Sequence, residues 1–204
     1  MIFDPSKPPL TDSAGLLKSI PVEAGPEIWK RATRVISSGL CDLQVNGFAG
    51  VDYNDPTLMP EEFEKSLFAM LRTGVTTCLP TVITGSEDWQ IQCFHALEAG
   101  RNASKLAQAM IPGYHLEGPF LNPEEGFCGC HPTKWMRPAT WDHFERLQEA
   151  AGGRITLITV APEIKGVLDL IPKWVEKGIA VAIGHCNPDR DTLLRAADAG
   201  VTLS

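Results

Sequence analysis

The chain has 204 residues and a mass of 22.2 kDa, enough for one domain with its own core, and its 44% hydrophobic and 21% charged residues are those of a globular protein. A net charge of −7, with a pI near 5.2 and no Lys/Arg cluster, argues against a nucleic-acid backbone or an anionic membrane surface as partner. No apolar run approaches the ~18–20 residues of a membrane span, and the opening Met1-Ile-Phe-Asp-Pro-Ser6 has neither a basic nor an apolar region of a secretory signal, so the six cysteines are expected to be reduced and the protein cytoplasmic.

Residues 1–38 are broken by Pro5, Pro8, Pro9, Pro21, Gly25 and Pro26, which predicts a poorly ordered arm or an incomplete accessory segment. Gly39–Gly47 then reads as a strand, with Asp42, Gln44 and Asn46 on one face and Leu43 and Val45 on the other. Pro60–Thr73 reads as a helix: Pro60 suits the first turn, Phe63, Leu67, Met70 and Leu71 form a stripe, and Gly74 stops it. Thr76–Thr84 is a second strand, followed by a helix capped by Ser86 and carrying Trp89, Phe94 and Leu97. The third strand is Gly113–Phe120, in which His115 and Glu117 point the same way and Gly118-Pro119 ends the run.

A long loop from Pro119 to about Pro138 leads to a helix capped by Thr140, with Trp141, Phe144 and Leu147 on one side. Arg154–Val160 is a fourth strand, residues 165–177 a helix closed by Gly178, and Ile179–Cys186 a fifth strand with Val181, Ile183 and His185 on one face. Asn187-Pro188-Asp189 reads as N-cap, first helical residue and acid of a last helix that Gly200 closes; Val201–Ser204 begins a sixth strand. Strict alternation of strand and helix means a parallel sheet with right-handed crossovers. Five full units and the start of a sixth fit either an open doubly wound sheet or part of a (β/α)8 barrel, which needs eight strands in ~250 residues.

Gln44 with Asn46, Glu117 and His185 offer polar atoms at strand carboxyl ends, the edge where active sites of parallel α/β folds gather. A carboxylate with an imidazole suits a divalent ion such as Zn²⁺; the bland alternative is a solvated carboxylate and a capping histidine. His115, deeper in its strand, reads as packed or as a support for a ligand. Cys128-Gly-Cys130-His131 with Cys186 is a weaker zinc candidate, because the usual Cys-x₂-Cys spacing is missing, and His131 in the long loop reads better as a substrate contact. Asp52, Asn54 and Asp55 read as turn chemistry, without the glycine and terminal glutamate of a calcium loop.

Five motifs occur in fixed order: Asp42-Leu-Gln-Val-Asn-Gly-Phe-Ala-Gly50, Gly74-Val-Thr-Thr-Cys-Leu-Pro-Thr81, His115-Leu-Glu-Gly-Pro-Phe120, Ala161-Pro-Glu163 and Gly184-His-Cys-Asn187. Together, from about Gly39 to Ser204, they resemble the N-acetylglucosamine-6-phosphate deacetylase family of metal-dependent amidohydrolases. The resemblance implies a partial TIM-type (β/α)8 barrel over residues 39–204, in a member cut short at its C-terminal side. It implies Glu117 and His185 as ligands of one divalent metal ion (Zn or Fe), and Cys130 (through its backbone) and His131 as contacts to a small amino-sugar phosphate. Gln44 and Asn46 would stand where many relatives have a second metal's His-x-His; neutral amides are poor ligands beside imidazole, so one ion is implied.

In the family, metal-activated water hydrolyses the acetamide to glucosamine 6-phosphate and acetate, with an aspartate as general base. That aspartate and a further metal histidine are expected beyond Ser204, so no catalytic acid–base residue is assigned within the chain. The chain alone is accordingly expected to have negligible activity. Two alternatives stand beside this reading. One is a non-catalytic fragment that binds sugar phosphate or a complementing chain, or associates as a homo-oligomer through an open sheet edge. The other is a related amidohydrolase acting on another acylated amino sugar or a cyclic amide.

Overall fold

The computed structural model describes residues 39–204; the arm expected over residues 1–38 lies outside them. In chain order the described elements are β1 (Leu40–Val45), β2 (Gly47–Phe48), β3 (Val51–Asp52), α1 (Pro60–Leu71), β4 (Val75–Ile83), α2 (Glu87–Ala103), α3 (Lys105–Met110) and β5 (Tyr114–Glu117). After a long loop containing one 3₁₀ turn at Thr133–Trp135 come α4 (Trp141–Ala150), β6 (Ile155–Val160), α5 (Val167–Glu176), β7 (Ala180–Ile183) and α6 (Arg190–Ala199).

Local chemistry explains most of these boundaries. Pro60 opens α1, whose Phe63, Leu67 and Met70 are buried at helical spacing, and the chain leaves through Gly74 at φ +97°. Ser86 Oγ accepts the Trp89 N–H at the start of α2 and Thr140 Oγ1 accepts the His143 N–H at the start of α4, caps worth about 1 kcal/mol each. Ser104 does the same for the short helix α3, accepting from Ala107 N. The last helix starts later than its sequence suggests. Its N-cap is Asp189, which accepts the Thr192 N–H at 2.7 Å so that the helix begins at Arg190, while the Asn187 N–H before it donates to the Glu163 carboxylate.

β1, β4, β5, β6 and β7 form one sheet in that order, and β2 and β3 pair as a separate antiparallel ribbon. The pairings of β4 with β5, β5 with β6 and β6 with β7 are parallel, as a βα repeat requires. Leu203 bridges Ala182 in parallel and accepts the Ile183 N–H, so the sixth strand begins where the sequence places it. The sheet curls into part of a TIM-type barrel. Among the described residues, no helix is long and apolar enough to cross a membrane.

Strand alternation sorts side chains into two layers. Cys78, Val82, Tyr114, Leu116, Ile158, Val160 and Val181 join the large buried cluster that includes Phe63, Phe94, Phe144 and Trp174 from the helices. Leu79, Leu157 and Ala182 form a small cluster on the other face, toward the barrel interior. Register aligns His115 with Leu157 and Glu117 with Thr159, so His115 and Glu117 occupy successive interior layers, with Glu117 uppermost at the carboxyl end of β5.

Candidate metal centre

Four elements bring polar atoms to the carboxyl edge. Glu117 is the last residue of β5 and is only 5% exposed. Its Oε1 lies 3.2 Å from His185 Nε2 and 3.7 Å from His131 Nε2, and its Oε2 accepts the Gln44 Nε2–H at 3.0 Å. Among the described residues, Glu117, His131 and His185 are the group of three side chains whose donor atoms all lie within 4.8 Å of one another. Cys128, Cys130 and Cys186 do not join it, so the weaker zinc candidate does not assemble.

His185 arrives by a route that alternation does not describe. β7 ends at Ile183, three residues sooner than expected, and His185 has a left-handed backbone with φ +50°. Val181 is packed among the helices, whereas His185 lines the interior trough beside Ala182 and Gly184. The expected shared face of Val181 and His185 is therefore wrong: the turn after β7, and not the strand, aims the imidazole inward. That conformation costs a non-glycine residue energy and is held by its neighbours.

His131 is delivered by the long loop after β5. Gly118, at φ +85°, has no room for a Cβ against Thr84 Oγ1, so the loop can leave β5 only through glycine. Further along, Gly129 lies against the His185 ring, and His131, 4% exposed, reaches Thr84 Oγ1 with Nδ1 at 2.9 Å. The signal for this residue was in the sequence, a glycine two places before it, but its partner lay far away in the chain. Cys130 is exposed, with its side chain outside the cluster.

Proton bookkeeping defines what the cluster can hold. His185 Nδ1 is 3.0 Å from the Phe127 carbonyl oxygen, which can only accept, so Nδ1 carries the hydrogen. In the neutral ring Nε2 then presents a lone pair to the Glu117 carboxylate. Two lone pairs at that separation repel unless a proton or a cation lies between them. The 3.2 Å separation suits a metal: donors bound at ~2.0–2.2 Å with tetrahedral angles stand ~3.3–3.5 Å apart. Burial pushes the Glu117 carboxyl up, but His131, His115 and His185 outweigh it and hold it below the usual carboxylate value, so it is an ionised acceptor. A carboxylate and an imidazole with its Nδ1–H tied to a carbonyl form a donor set that fits a divalent ion.

His115 is differently placed. Its Nδ1 donates to the Leu43 carbonyl at 3.1 Å and its Nε2 accepts from Thr159 Oγ1 at 2.7 Å, so both nitrogens are used. Burial pushes its pKa down to about 4, leaving a neutral ring that braces β1, β5 and β6. Gln44 touches Glu117 directly, whereas Asn46 donates to the Thr81 carbonyl at 3.5 Å and stays out of the cluster. Asp52 and Asp55 accept the backbone N–H groups of Asn54 and Thr57, the turn chemistry expected of them. Below the carboxyl edge opens a trough of about 370 Å³, lined by Gln44, His115, Glu117, Thr159, His185 and Ser204 among others.

No family model matches the chain. It is 29% identical over 185 residues to the N-acetylglucosamine-6-phosphate deacetylase of Bacillus subtilis, covering 86% of this chain and 44% of that protein. It is 34% identical over 194 residues to the N-acetylgalactosamine-6-phosphate deacetylase of a Shewanella species, covering 92% of this chain and 46% of that one. The chain thus spans less than half the length of the curated relatives it matches. Among solved structures, a mutant N-acetyl-D-glucosamine-6-phosphate deacetylase of Mycobacterium smegmatis, in complex with N-acetyl-D-glucosamine-6-phosphate, superposes with a TM-score of 0.71 at 30% identity. That match covers 81% of this chain and 41% of the other. The Pasteurella multocida deacetylase gives 0.69, also at 30% identity. In sequence and in fold alike, the chain is similar to the N-acetylglucosamine-6-phosphate deacetylases over most of its own length.

Proposed function

We propose that this chain supplies part of the active site of a metal-dependent deacetylase acting on an N-acetylated amino-sugar phosphate in the cytoplasm, with Glu117 and His185 as protein ligands of one divalent ion (Zn or Fe). The observation that carries the reading is the 3.2 Å approach of His185 Nε2 to Glu117 Oε1 while Nδ1 is committed to the Phe127 carbonyl. When bound, such an ion polarises a carbonyl and lowers the pKa of water. The chain's own residues orient the ligands: Phe127 sets the His185 tautomer, and Gln44 fixes the second Glu117 oxygen. His115 keeps the interior layer beneath Glu117 neutral.

His131 and the backbone of Cys130 are assigned to the amino sugar, and Gln44 with Asn46 to a second-metal position that amides leave unused. The named relatives include both gluco and galacto deacetylases, so the sugar epimer is decided by assay. Among the described residues, no second carboxylate joins the cluster. A missing general base alone typically costs ~10²–10⁴-fold, and the 204-residue chain is expected to release acetate negligibly on its own.

Isothermal titration of the chain with Zn²⁺ and Fe²⁺, followed by acetate release from both sugar phosphates, tests this. Metal binding that Glu117→Gln abolishes, with negligible turnover, is the expected result. Absence of binding overturns the ligand assignment, and metal-dependent turnover by the chain alone overturns the expectation of inactivity. His131→Ala should leave metal affinity within about threefold while weakening sugar-phosphate binding about tenfold, the size of one lost charge-assisted contact. A tenfold loss of metal affinity would make His131 a ligand instead.

A further inference from the structure

Glu163 follows β6 by three residues and touches neither Glu117 nor His131. Its Oε1 accepts two hydrogen bonds, from Asn122 Nδ2 at 2.9 Å and from the Asn187 backbone N–H at 2.6 Å. Asn122 sits in the loop after β5 and is 8% exposed; its own backbone N–H donates to the His185 carbonyl at 3.0 Å, and its Oδ1 accepts the Glu124 N–H at 2.8 Å. Asn187 lies two residues beyond His185. One carboxylate oxygen therefore ties together the loops after β5, β6 and β7, on both sides of the left-handed turn that aims His185 inward.

Among the described residues, Glu163 is the carboxylate that anchors the main chain at this turn. Gly184 N–H returns to the Val160 carbonyl, which holds the strand end, and the His185 ring is held by Phe127. The main chain at residues 185–187 is held by Asn122 and Glu163. The second Glu163 oxygen is buried and has no hydrogen-bond partner among the described residues, a cost that the two bonds at Oε1 offset.

We infer that Glu163 is a positioning residue for the metal centre: by gripping Asn122 and Asn187 it holds the strained His185 turn in the geometry that presents Nε2 to Glu117. The inference rests on the metal reading above for its consequence, though not for its geometry. Supports of this kind typically cost ~10–100-fold in metal affinity when removed.

The test compares Glu163→Ala with Glu163→Gln, whose amide oxygen still accepts both bonds. In the metal-free chain, the His185 Nδ1–H bonded to Phe127 should give a protected, downfield ¹H–¹⁵N resonance in the unaltered and Gln forms and lose it in the Ala form. With Co²⁺ as probe, the Ala form should bind about 10–100-fold more weakly and change its visible absorption, while the Gln form stays within threefold and keeps the parent spectrum. Retention of the resonance and of the spectrum in Glu163→Ala overturns the inference. If the unaltered chain binds no Co²⁺, the metal reading fails, and the metal-free resonance alone decides the role of Glu163. Circular dichroism of each variant separates loss of the turn from loss of the fold.

Discussion

The approach of the long loop to His185 makes Gly129 the sharpest point of perturbation. Gly129 has φ +59°, and a Cβ there would stand 2.9 Å from His185 Cε1 and 3.1 Å from Nδ1. Carbon atoms are comfortable at ~3.5–4.0 Å, so Gly129→Ala must move the ring or the loop by roughly half an ångström. The ring is not free to move, because its Nδ1–H is bonded to Phe127 in the same loop. Metal–ligand distances tolerate only about ±0.2 Å, so affinity for Zn²⁺ should fall ~10–100-fold, or about 1.4–2.7 kcal/mol. Gly126 is the internal control: φ is +91° and nothing lies within 4 Å of its Cβ direction. Both alanines incur the left-handed backbone cost of ~1–2 kcal/mol, and both should lower Tm by about 2–8 °C for a domain of this size. Only Gly129→Ala should weaken Zn²⁺ binding in isothermal titration. Equal losses of affinity in the two variants, or none in either, would refute the reasoning.

Glu117→Gln keeps an acceptor for Gln44 but removes the charge between the histidines, and it should reduce Zn²⁺ affinity at least about 100-fold by titration while the protein stays folded. Stability should fall as pH drops from about 7 to 5. Burial lowers the pKa of His115 to about 4 and also lowers that of His143, where Glu87 opposes the effect and Arg137 and Arg146 add to it. In the fold the His115 ring stays neutral over this range and His143 takes up its proton less readily than in the unfolded chain, which protonates below ~6.5, so the unfolded state gains as pH falls. His143→Phe should shallow that slope in urea melts, and an unchanged slope would contradict the burial argument. Trp174 is fully buried, stacked on Phe120 and edge-on to Phe144, and its Nε1–H has no partner among the described residues. Trp174→Ala should cost ~3–5 kcal/mol in denaturant unfolding, and Trp174→Phe much less, because it also removes the orphaned donor.

Elements governed by neighbours in the chain were legible. Ser86 and Thr140 cap the helices assigned to them, and Phe63, Leu67 and Met70 face the core as their spacing requires. His115 and Glu117 share the interior face that period-two alternation dictates. What failed depended on distant partners. Asn187 resembles an N-cap, but Asp189 caps the helix, and Asn187 belongs to the preceding turn, where its N–H donates to Glu163, 24 residues earlier. His185 has the spacing of a strand residue, yet the strand has ended and a left-handed turn sets its direction. The contact of Gln44 with Glu117 spans 73 residues, and no local pattern encodes it. The five ordered motifs compensated at the site, because a family resemblance carries such distant geometry implicitly.

Crystals of the chain grown with Zn²⁺ and measured at the zinc absorption edge locate the ion directly. One anomalous peak is expected ~2.0–2.2 Å from Glu117 Oε1 and ~2.0–2.1 Å from His185 Nε2, with the His185 Nδ1 bond to Phe127 preserved. A peak on the cysteines of the long loop, or no peak at saturating Zn²⁺ with Glu117 and His185 still in direct contact, would contradict the ligand assignment.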